Sequence, residues 1–375
     1  MRILTQQTFG GPDVLTLDEV DLPQPGPGEV LVQVAAAGIN PVDAVVRAGR
    51  YRPRDGVHAD TVDLSESGFA TPPFTLGWDV AGTVVAVGPE VSHLNSTARE
   101  ARSQGEGVAA REARSQAPEH HAPLDEGVAA RDARSQAPEH HAALGPGDEV
   151  LGLLAFPALA ATHAEYVVAS VNELVRKPAG LSFEAAGALP LAGLTAWQAL
   201  VGIGAVGPGH RVLVHAGAGG VGHLAVLIAK AKGAYVIATA SAGNHDFVRE
   251  LGADEVIDYR AVDFTTAVAP VDIVLDLVGG AYAERSAQVL EPGGLLIGAI
   301  GVFLGITPER AAELGLRFGY VDVRPSAADL TELLELIDVG ALKVHVAHAI
   351  PLADAAKAHE LLDSGHVAGK IVLVP

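Results

Sequence analysis

The chain of 375 residues contains no cysteine, one methionine and two tryptophans, and aromatic residues make up only 5% of it. The missing thiols exclude disulfides, thiolate zinc sites and a cysteine nucleophile. Positive charge is also scarce, with 25 Lys and Arg against 45 Asp and Glu and a net charge of −20. This balance argues against nucleic acid and against anionic membrane surfaces as partners.

Long apolar runs are missing as well. No uninterrupted run reaches membrane-spanning length, and residues 1–7 carry no signal-peptide core. We therefore expect a cytoplasmic location. The hydrophobic content of 49% and the 43 glycines are typical of an α/β protein, and the length allows two domains with substantial cores.

The most informative feature that is present is a glycine-rich turn between an apolar strand (211–216) and an apolar helix (223–230). In the dinucleotide fingerprint, Gly217 would permit the tight turn, Gly219 would let the backbone approach a pyrophosphate, and Gly222 would let helix pack on strand. The helix N-terminus offers free N–H groups to phosphates. The turn thus predicts a nucleotide site formed by Gly217, Gly219, Gly220, Val221 and Gly222.

The end of the next strand (235–240) indicates which nucleotide. NAD-preferring folds usually place Asp or Glu there to hold the ribose 2′-hydroxyl, and this chain has none. Ser241, Asn244 and His245 can donate hydrogen bonds to a 2′-phosphate, and Arg260 can add charge. These residues favour NADPH, although the turn itself carries no Lys or Arg. Ser241 and Asn244 can equally serve as helix N-caps.

The first part of the chain predicts short strands separated by Pro and Gly, as in a compact barrel. An anomaly follows, because residues 106–125 are repeated as 126–145 with three differences. These units are small and polar and cannot supply a core, so we interpret 95–143 as a duplicated surface insertion. Each copy carries Glu-His-His, but adjacent histidines on such a tract rarely form an ordered site, and we predict no metal site.

From Arg211 to about Val323 the pattern alternates between strand and helix, which predicts a doubly wound parallel sheet. A helix with Ser182 as N-cap precedes it. The tail predicts a helix from Ala327 through Ile337, an extended segment at 344–346, a helix at 353–362 and a strand at 370–374 that returns to the first domain. The proposed divisions are 1–178 with the insertion 95–143, then 179–323, then 324–375.

The order of these parts resembles the medium-chain dehydrogenase/reductase superfamily, in its zinc-free quinone oxidoreductase (zeta-crystallin-like) branch. The matching segments are the glycine-rich turn and residues 37–43, 47–51, 77–82, 87–89, 147–150, 189–197, 251–259 and 369–373. The resemblance implies an α/β fold with a doubly wound parallel Rossmann sheet and a β-rich GroES-like barrel domain. It also implies a homodimer joined edge to edge.

The zinc-dependent relatives of this branch use a Cys near position 40 and Gly-His-Glu near 77–79. This chain has Asn40 and Gly77-Trp78-Asp79 there, and tryptophan cannot bind a metal ion. Without a Lewis acid to lower the pKa of an alcohol, alcohol oxidation is disfavoured. Reduction of an electron-poor acceptor stays feasible, because NADPH supplies the hydride.

The resemblance implies that the nicotinamide lies in a cleft between domains and reduces a quinone or an α,β-unsaturated carbonyl compound. It places Asn40 and Tyr51 beside the nicotinamide, where both can donate hydrogen bonds to the acceptor oxygen. They are the candidate catalytic residues. The alternatives are a turn before Pro41 for Asn40 and loop packing for Tyr51. Trp78 either lines the acceptor pocket or belongs to the core, and residues 52–73 form either a lid or a plain loop.

For the cofactor, the resemblance implies Thr195 near the nicotinamide end and Tyr259 near the adenosine. Val278, Gly279 and Ile300 would flank the nicotinamide ribose. Lys370 either reaches the cleft or only begins a strand. Two other functions stay open: a dedicated biosynthetic enoyl reductase, for which no basic docking patch is evident, and a non-catalytic nucleotide-binding protein on the same fold.

Overall fold

The computed structural model describes residues 1–50, 71–89, 91, 144–299 and 305–375. Tyr51, Ile300, the insertion 95–143 and most of the segment 52–73 lie outside the described residues. The predictions made for them therefore stay predictions.

Within the described ranges the strands are β1 (Arg2–Gln6), β2 (Leu15–Glu19), β3 (Glu29–Ile39), β4 (Asp79–Val87), β5 (Glu149–Leu153), β6 (Tyr166–Ser170), β7 (Leu174–Arg176), β8 (Arg211–Val214), β9 (Tyr235–Ala240), β10 (Glu255–Asp258), β11 (Val271–Asp276), β12 (Leu290–Gly298), β13 (Arg317–Tyr320), β14 (Val346–Pro351) and β15 (Lys370–Val374). The α-helices are α1 (Pro41–Arg47), α2 (Phe183–Ala188), α3 (Pro190–Trp197), α4 (Gly220–Ala231), α5 (His245–Glu250), α6 (Phe264–Ala267), α7 (Ala281–Ser286), α8 (Pro308–Glu313), α9 (Ala327–Asp338) and α10 (Ala355–Asp363). A π-helical turn, Gln198–Ile203, follows α3.

One sheet consists of six parallel strands in the order β10-β9-β8-β11-β12-β13. Counted from β8, this is the 3-2-1-4-5-6 order of the doubly wound dinucleotide-binding fold, and it confirms the predicted Rossmann sheet. The central strand β8 has Val212, Leu213 and Val214 fully buried. The edge strand β13 was not predicted, because its Arg-Phe-Gly-Tyr sequence is half-exposed and lacks an apolar run.

The second sheet has the order β14-β15-β3-β4-β5-β7, with β6 paired to β3. The last strand, β15, pairs antiparallel with β3, where Ile371 lies opposite Ile39, and parallel with β14. The predicted return of the chain to the first domain is thus confirmed. The extended segment predicted at 344–346 begins and ends later, at Val346–Pro351, because that strand is largely exposed and has little apolar signal.

The structure decides the interpretations of Trp78 and of Ser182. Trp78 is fully buried, its Nε1 donates to the carbonyl of Ala158 (2.7 Å), and its ring packs edge-on against Phe156. It is a core residue and does not line an open pocket. Ser182 caps α2 as predicted, because its hydroxyl accepts from the N–H of Ala185 (3.2 Å). Across the described ranges, no helix combines the length and the apolar character that crossing a membrane requires.

Candidate active site

The glycine-rich turn connects the end of β8 to the start of α4 and is fixed against β9. The N–H of Gly217 donates to the carbonyl of Thr239 (2.8 Å). The expected role of Gly217 needs a correction, because the residue with positive φ in this turn is Ala216, at 51°. Gly217 is required for another reason: a Cβ there would lie 2.8 Å from the Cβ of Ala238. The tightness of the turn therefore comes from packing between neighbouring strands.

Gly222 lets the first turn of α4 approach the backbone that precedes it. A Cβ at Gly222 would lie 2.1 Å from the carbonyl oxygen of Ala216, a distance that no side chain can occupy. Gly219 is the N-cap of α4 and is extended, with φ −73° and ψ −179°. The first N–H groups of a helix have no partner inside the helix, so this start presents donors and a positive dipole end toward the cleft.

A cavity of about 200 Å³ lies between this turn and the end of the second sheet. Asn40, Leu191, Gly220, Val221 and Lys370 are among the residues that line it. The structure thus brings together residues from both sheets that the sequence placed at the site. The cavity is narrow at the turn, where a Cβ on Gly220 would lie 3.1 Å from Cδ of Lys370. A side chain at position 220 would therefore press against Lys370.

Lys370 is the first residue of β15, and its side chain also reaches the cleft, so both interpretations of it hold. Its side chain is only 3% exposed. The ammonium donates to the carbonyl of Ile39 (3.1 Å) and to Oδ1 of Asn40, and it lies 3.8 Å from Oδ2 of Asp79. Strand pairing of β15 with β3 puts these groups side by side. The result is a buried cation with three oxygen partners.

Asp79 completes this buried cluster, which consists of Asn40, Asp79 and Lys370. Its Oδ1 accepts from the N–H of Leu191 (2.7 Å), and its Oδ2 accepts from the amide of Asn40 (2.9 Å). The carboxylate and the ammonium together fix which end of the Asn40 amide faces each of them. Burial raises the pKa of Asp79 and lowers the pKa of Lys370, and the attraction between the two charges opposes both shifts.

The backbone of Asn40 is held by Asp43, three residues further on in α1. The N–H of Asn40 donates to Oδ2 of Asp43 (2.8 Å), as in a capping box. Asp43 is fully buried, and desolvation raises its pKa to about 7, against the lowering effects of the Asn40 N–H and of Lys370. Asp43 therefore orients the local backbone, and Asn40 is both a helix N-cap and a cavity-lining residue.

The segment that carries Lys370 is attached directly to the glycine-rich turn. The N–H of Gly369 donates to the carbonyl of Ala218 (2.8 Å), and the N–H of His345 donates to Nε2 of His223 (3.2 Å). Nδ1 of His223 lies 2.9 Å from the carbonyl of Gly219, so this nitrogen carries the proton. Burial lowers the pKa of His223 to about 4, and the ring is neutral near neutral pH. His223 thus joins the helix start to the second sheet.

The other predicted cofactor residues are placed at the carboxyl ends of neighbouring parallel strands, the edge where nucleotides bind in this fold. Ser241 follows β9 and begins a short turn, in which the amide of Asn244 donates to its hydroxyl (3.3 Å). Tyr259 follows β10 and is 40% exposed, with the guanidinium of Arg260 lying 5.5 Å from its ring centre. Neither Ser241 nor Asn244 makes a side-chain cap, so both side chains stay at this edge.

Val278 and Gly279 follow β11 at the same edge. Both N–H groups donate to Oδ1 of the buried Asp276, each at 2.9 Å, and these two bonds fix the backbone at the start of the loop. Thr195 lies in α3, where it is buried and its hydroxyl donates to the carbonyl of Leu191 (2.7 Å). That bond directs the Thr195 hydroxyl into its own helix, although Leu191 itself lines the cavity.

A catalytic zinc ion, as in the zinc-dependent relatives, does not fit this site. At the two ligand positions stand an amide, Asn40, and the core tryptophan Trp78, whose ring nitrogen already donates to a carbonyl. The ammonium of Lys370 lies among the oxygens of Asn40 and Asp79. The described residues contain no group of three or more His, Asp or Glu that could share a metal ion. The described side chains at these positions therefore do not offer the ligand set that the zinc-dependent relatives use.

Asp79 and His223 are site residues that the sequence did not single out for these roles. A carboxylate at the start of an apolar strand, as in Asp79, signals a buried charge, but its partner lies 291 positions away in the chain. His223 follows the last glycine of the fingerprint and reads as an ordinary helix residue. Only the tertiary fold reveals what each of them contacts.

Two family models match the chain. The model described as "Alcohol dehydrogenase GroES-like domain" matches residues 26–179, and the one described as "Zinc-binding dehydrogenase" matches residues 251–373. The first covers most of the second sheet with its flanking loops. The other begins before β10 and ends within β15. It includes β10 to β13 of the Rossmann sheet, but neither the glycine-rich turn nor β8 and β9.

Three quinone oxidoreductases, one curated and two of known structure, match this chain over nearly their whole length. "Quinone oxidoreductase 1" of Escherichia coli is 30% identical, over 98% of this chain and 97% of its own. The quinone oxidoreductase structure from Coxiella burnetii has a TM-score of 0.78 at 32% identity and covers 100% of this chain and 99% of its own. The E. coli quinone oxidoreductase structure, solved with NADPH, has a TM-score of 0.76 at 27% identity and covers both chains fully, at 100%.

Proposed function

Because the chain belongs to the quinone oxidoreductase branch of the medium-chain dehydrogenase/reductase superfamily, we propose that it is an NADPH-dependent reductase. Its acceptor is a quinone or an α,β-unsaturated carbonyl compound, and no metal ion takes part. One observation carries the proposal: the glycine-rich turn and two members of the buried cluster, Asn40 and Lys370, line the same cavity. That arrangement places a phosphate-binding helix start beside a fixed cation and amide.

NADPH, when bound, supplies the hydride. The start of α4 with Gly219, Gly220 and Val221 binds the pyrophosphate through backbone N–H groups. Ser241 and Asn244 contact the 2′-phosphate, and the lack of a carboxylate at the end of β9 leaves that position free of repulsion. Tyr259 contacts the adenosine, while Thr195, Val278, Gly279 and Ile300 surround the nicotinamide end.

Asn40 and Lys370 would stabilise the negative charge that grows on the acceptor oxygen when a quinone, or the β-carbon of an α,β-unsaturated carbonyl compound, is reduced. The Asn40 amide has two hydrogens, and Asp79 takes one of them. The second is aimed at the acceptor by the same contacts that fix the amide. The Lys370 ammonium adds positive potential in a site from which water is largely excluded. Tyr51 donates a hydrogen bond and delivers the final proton.

The test is NADPH oxidation against benzoquinone, naphthoquinone, a linear enone and a simple aldehyde, with EDTA present and NADH in parallel. We expect turnover of a quinone or the enone, no effect of EDTA and preference for NADPH. Tyr51→Phe should lower kcat, and unchanged turnover would remove Tyr51 from the mechanism. NADPH binding without turnover of any acceptor would favour a dedicated substrate, such as an enoyl thioester, or a non-catalytic role.

We also propose that two copies associate through β13, the exposed edge of the parallel sheet. The edge is short, at four residues, and an edge strand of a sheet can pair with a strand of a second copy. A dimer by sedimentation equilibrium that becomes monomeric in Phe318→Pro would support this. A dimer unaffected by that change would place the interface elsewhere.

A further inference from the structure

Behind the buried cluster lies a second set of buried polar groups, contributed by β1, by the segment before β6 and by α10. Among the described residues, four side-chain atoms here are buried and have no hydrogen-bond partner: Oε1 of Gln6, Oγ1 of Thr162, Nδ1 of His163 and Nε2 of His359. Buried polar atoms are almost always satisfied, and a group of orphans in one place indicates a partner such as an ordered water.

Neighbouring contacts show that Gln6, His163 and His359 lie close together, and Thr162 precedes His163 in the chain. The rings of His163 and His359 are 6.3 Å apart, centre to centre, and nearly perpendicular. The carbonyl of His163 accepts from the N–H of Leu4 (2.9 Å), which puts β1 alongside it. Gln6, two residues further along β1, donates to the carbonyl of Arg47 (3.2 Å). Arg47 in turn contacts His359, which closes the circle.

The contacts of each histidine determine its tautomer. An arginine can only donate, so Nδ1 of His359, 2.7 Å from Arg47, is an acceptor and Nε2 carries the hydrogen. A carbonyl can only accept, so Nε2 of His163, 3.3 Å from the Gly38 carbonyl, carries the hydrogen and Nδ1 is an acceptor. Burial lowers the pKa of His163 to about 4 and that of His359 to about 2, so both rings are neutral.

We propose that one buried water molecule binds between His359 and His163, accepting from Nε2–H of the first and donating to Nδ1 of the second. A water molecule can accept a hydrogen bond from one ring and donate a hydrogen bond to the other. A cation cannot accept from Nε2–H, and an anion cannot donate to Nδ1. The ring centres lie 6.3 Å apart, which is near enough for one water molecule to contact both rings. The Thr162 hydroxyl supplies a further donor and Gln6 Oε1 a further acceptor, which gives the water four partners.

This water connects the last helix to the strand end that carries Asn40. From α10, Asp363 holds Arg47 (2.6 Å), Arg47 holds His359, and the water passes the contact to His163 and the Gly38 carbonyl. Gly38 has no slack, because a Cβ there would lie 2.4 Å from Oδ2 of Asp79. His359 is thus a positioning residue for the cluster, a role that rests on the proposed function, whereas the water site does not.

The direct test is a crystal structure at a resolution that shows ordered waters, with ¹⁵N NMR of the histidine rings. We expect density within hydrogen-bond distance of both nitrogens and the Nε2–H tautomer for both histidines. A dry gap, a direct contact between the rings, or an Nδ1–H tautomer of His163 would overturn the proposal.

The variant test uses His359→Asn, whose amide oxygen can still accept from Arg47, while its shorter NH2 group does not reach the position from which Nε2–H donates to the water. We expect the water to disappear from the structure and kcat to fall about tenfold, with KM for NADPH nearly unchanged. His348→Asn, at an exposed position on β14, is the matched control and should do neither. A retained water, or a loss confined to KM, would contradict the assignment. If wild-type protein turns over no acceptor, the proposed function fails, while the crystallographic result still decides the water site.

Discussion

The glycine-rich turn and the buried cluster of Asn40, Asp79 and Lys370 face each other across one cavity, yet they are built in opposite ways. The turn is contiguous in the chain and works through backbone, because Gly217 and Gly222 leave room where a Cβ would collide. The cluster is assembled from three distant segments and works through side-chain charge in a place with little water. We therefore expect the turn to be sensitive to an added side chain, and the cluster to be sensitive to the removal of a charged partner.

The largest effect is expected where the cluster loses its cation. Lys370→Met leaves the Asp79 carboxylate buried without a counter-charge, which typically costs about 3–5 kcal/mol of unfolding free energy. Urea denaturation measures it. The double variant Lys370→Met/Asp79→Asn should recover part of the loss, because the remaining groups are neutral. If the two single effects simply add, the two residues are not energetically coupled and the comparison fails on this side.

The corresponding change in the turn adds a single methyl group. In Gly222→Ala the new Cβ would lie 2.1 Å from the carbonyl oxygen of Ala216, so the turn or the helix start must move. We expect NADPH affinity to fall about 100-fold, as for an ångström-scale displacement of binding groups. Fluorescence titration with NADPH measures it. Gly180→Ala is the control, because open space surrounds that position. Equal affinities in both variants would show that the turn does not hold the cofactor.

Lowering the pH should weaken both regions, because neutral histidines are buried behind each. The lowered pKa values are about 4 for His163, about 3 for His215, about 4 for His223 and about 2 for His359. The unfolded chain takes up these protons near pH 6.5 and the folded chain does not, so stability falls as the pH drops from 6.5 toward 4. Each histidine contributes about 1.4 kcal/mol per pH unit in that window.

Asp43 acts in the opposite sense. Its pKa is raised to about 7, so its contribution is fully present below about pH 4 and is lost as the pH rises through 7. The proton that folded Asp43 binds between about pH 4 and pH 7 therefore offsets part of the loss of stability that the four histidines cause as the pH falls. The check is urea unfolding at several pH values for wild type and His215→Gln. The variant should show a slope smaller by one proton, and an unchanged slope would mean that His215 is protonated in the fold.

The smallest effect is expected from a change at Ser241, which tests whether the 2′-phosphate binds at the end of β9. Ser241→Asp places a carboxylate at the end of β9, where it would repel a phosphate and accept from a ribose hydroxyl. We expect the ratio of kcat/KM for NADPH over NADH to fall about tenfold. Ser241→Ala separates the added charge from the lost hydroxyl. A ratio that does not change in the Asp variant would place the 2′-phosphate away from Ser241.

The sequence predicted what contiguous residues encode. Local pattern predicts the strand, turn and helix around Gly217–Gly222, the N-cap at Ser182 and a strand at 370–374, and all of these match the structure. The strand β13 escaped because a half-exposed edge strand needs no apolar run. The positive φ at Ala216 was not predicted, because alanine carries no signal for a left-handed conformation. Packing, not composition, imposes it.

The cluster shows the limit more sharply. Asn40 and Lys370 were placed near the cleft by resemblance, but nothing local indicates that an ammonium at position 370 bonds to an amide 330 positions earlier. The pairing exists because β15 lies against β3, and strand pairing over such separations is decided by the whole fold. For the same reason the sequence signals a buried charge at Asp79 but not the partners that neutralise it.

The pairing of β15 with β3 also has a consequence for synthesis on the ribosome. Asn40 and Asp79 leave the exit tunnel long before Lys370, so β3 and β4 can pair while the cation that neutralises Asp79 has not yet been made. An emerging barrel would then either hold the Asp79 carboxyl protonated, as its raised pKa favours, or leave that corner open to water. The cleft acquires its charge balance only when the last strand is added, so a chain stalled before that point would carry a folded sheet without a finished site.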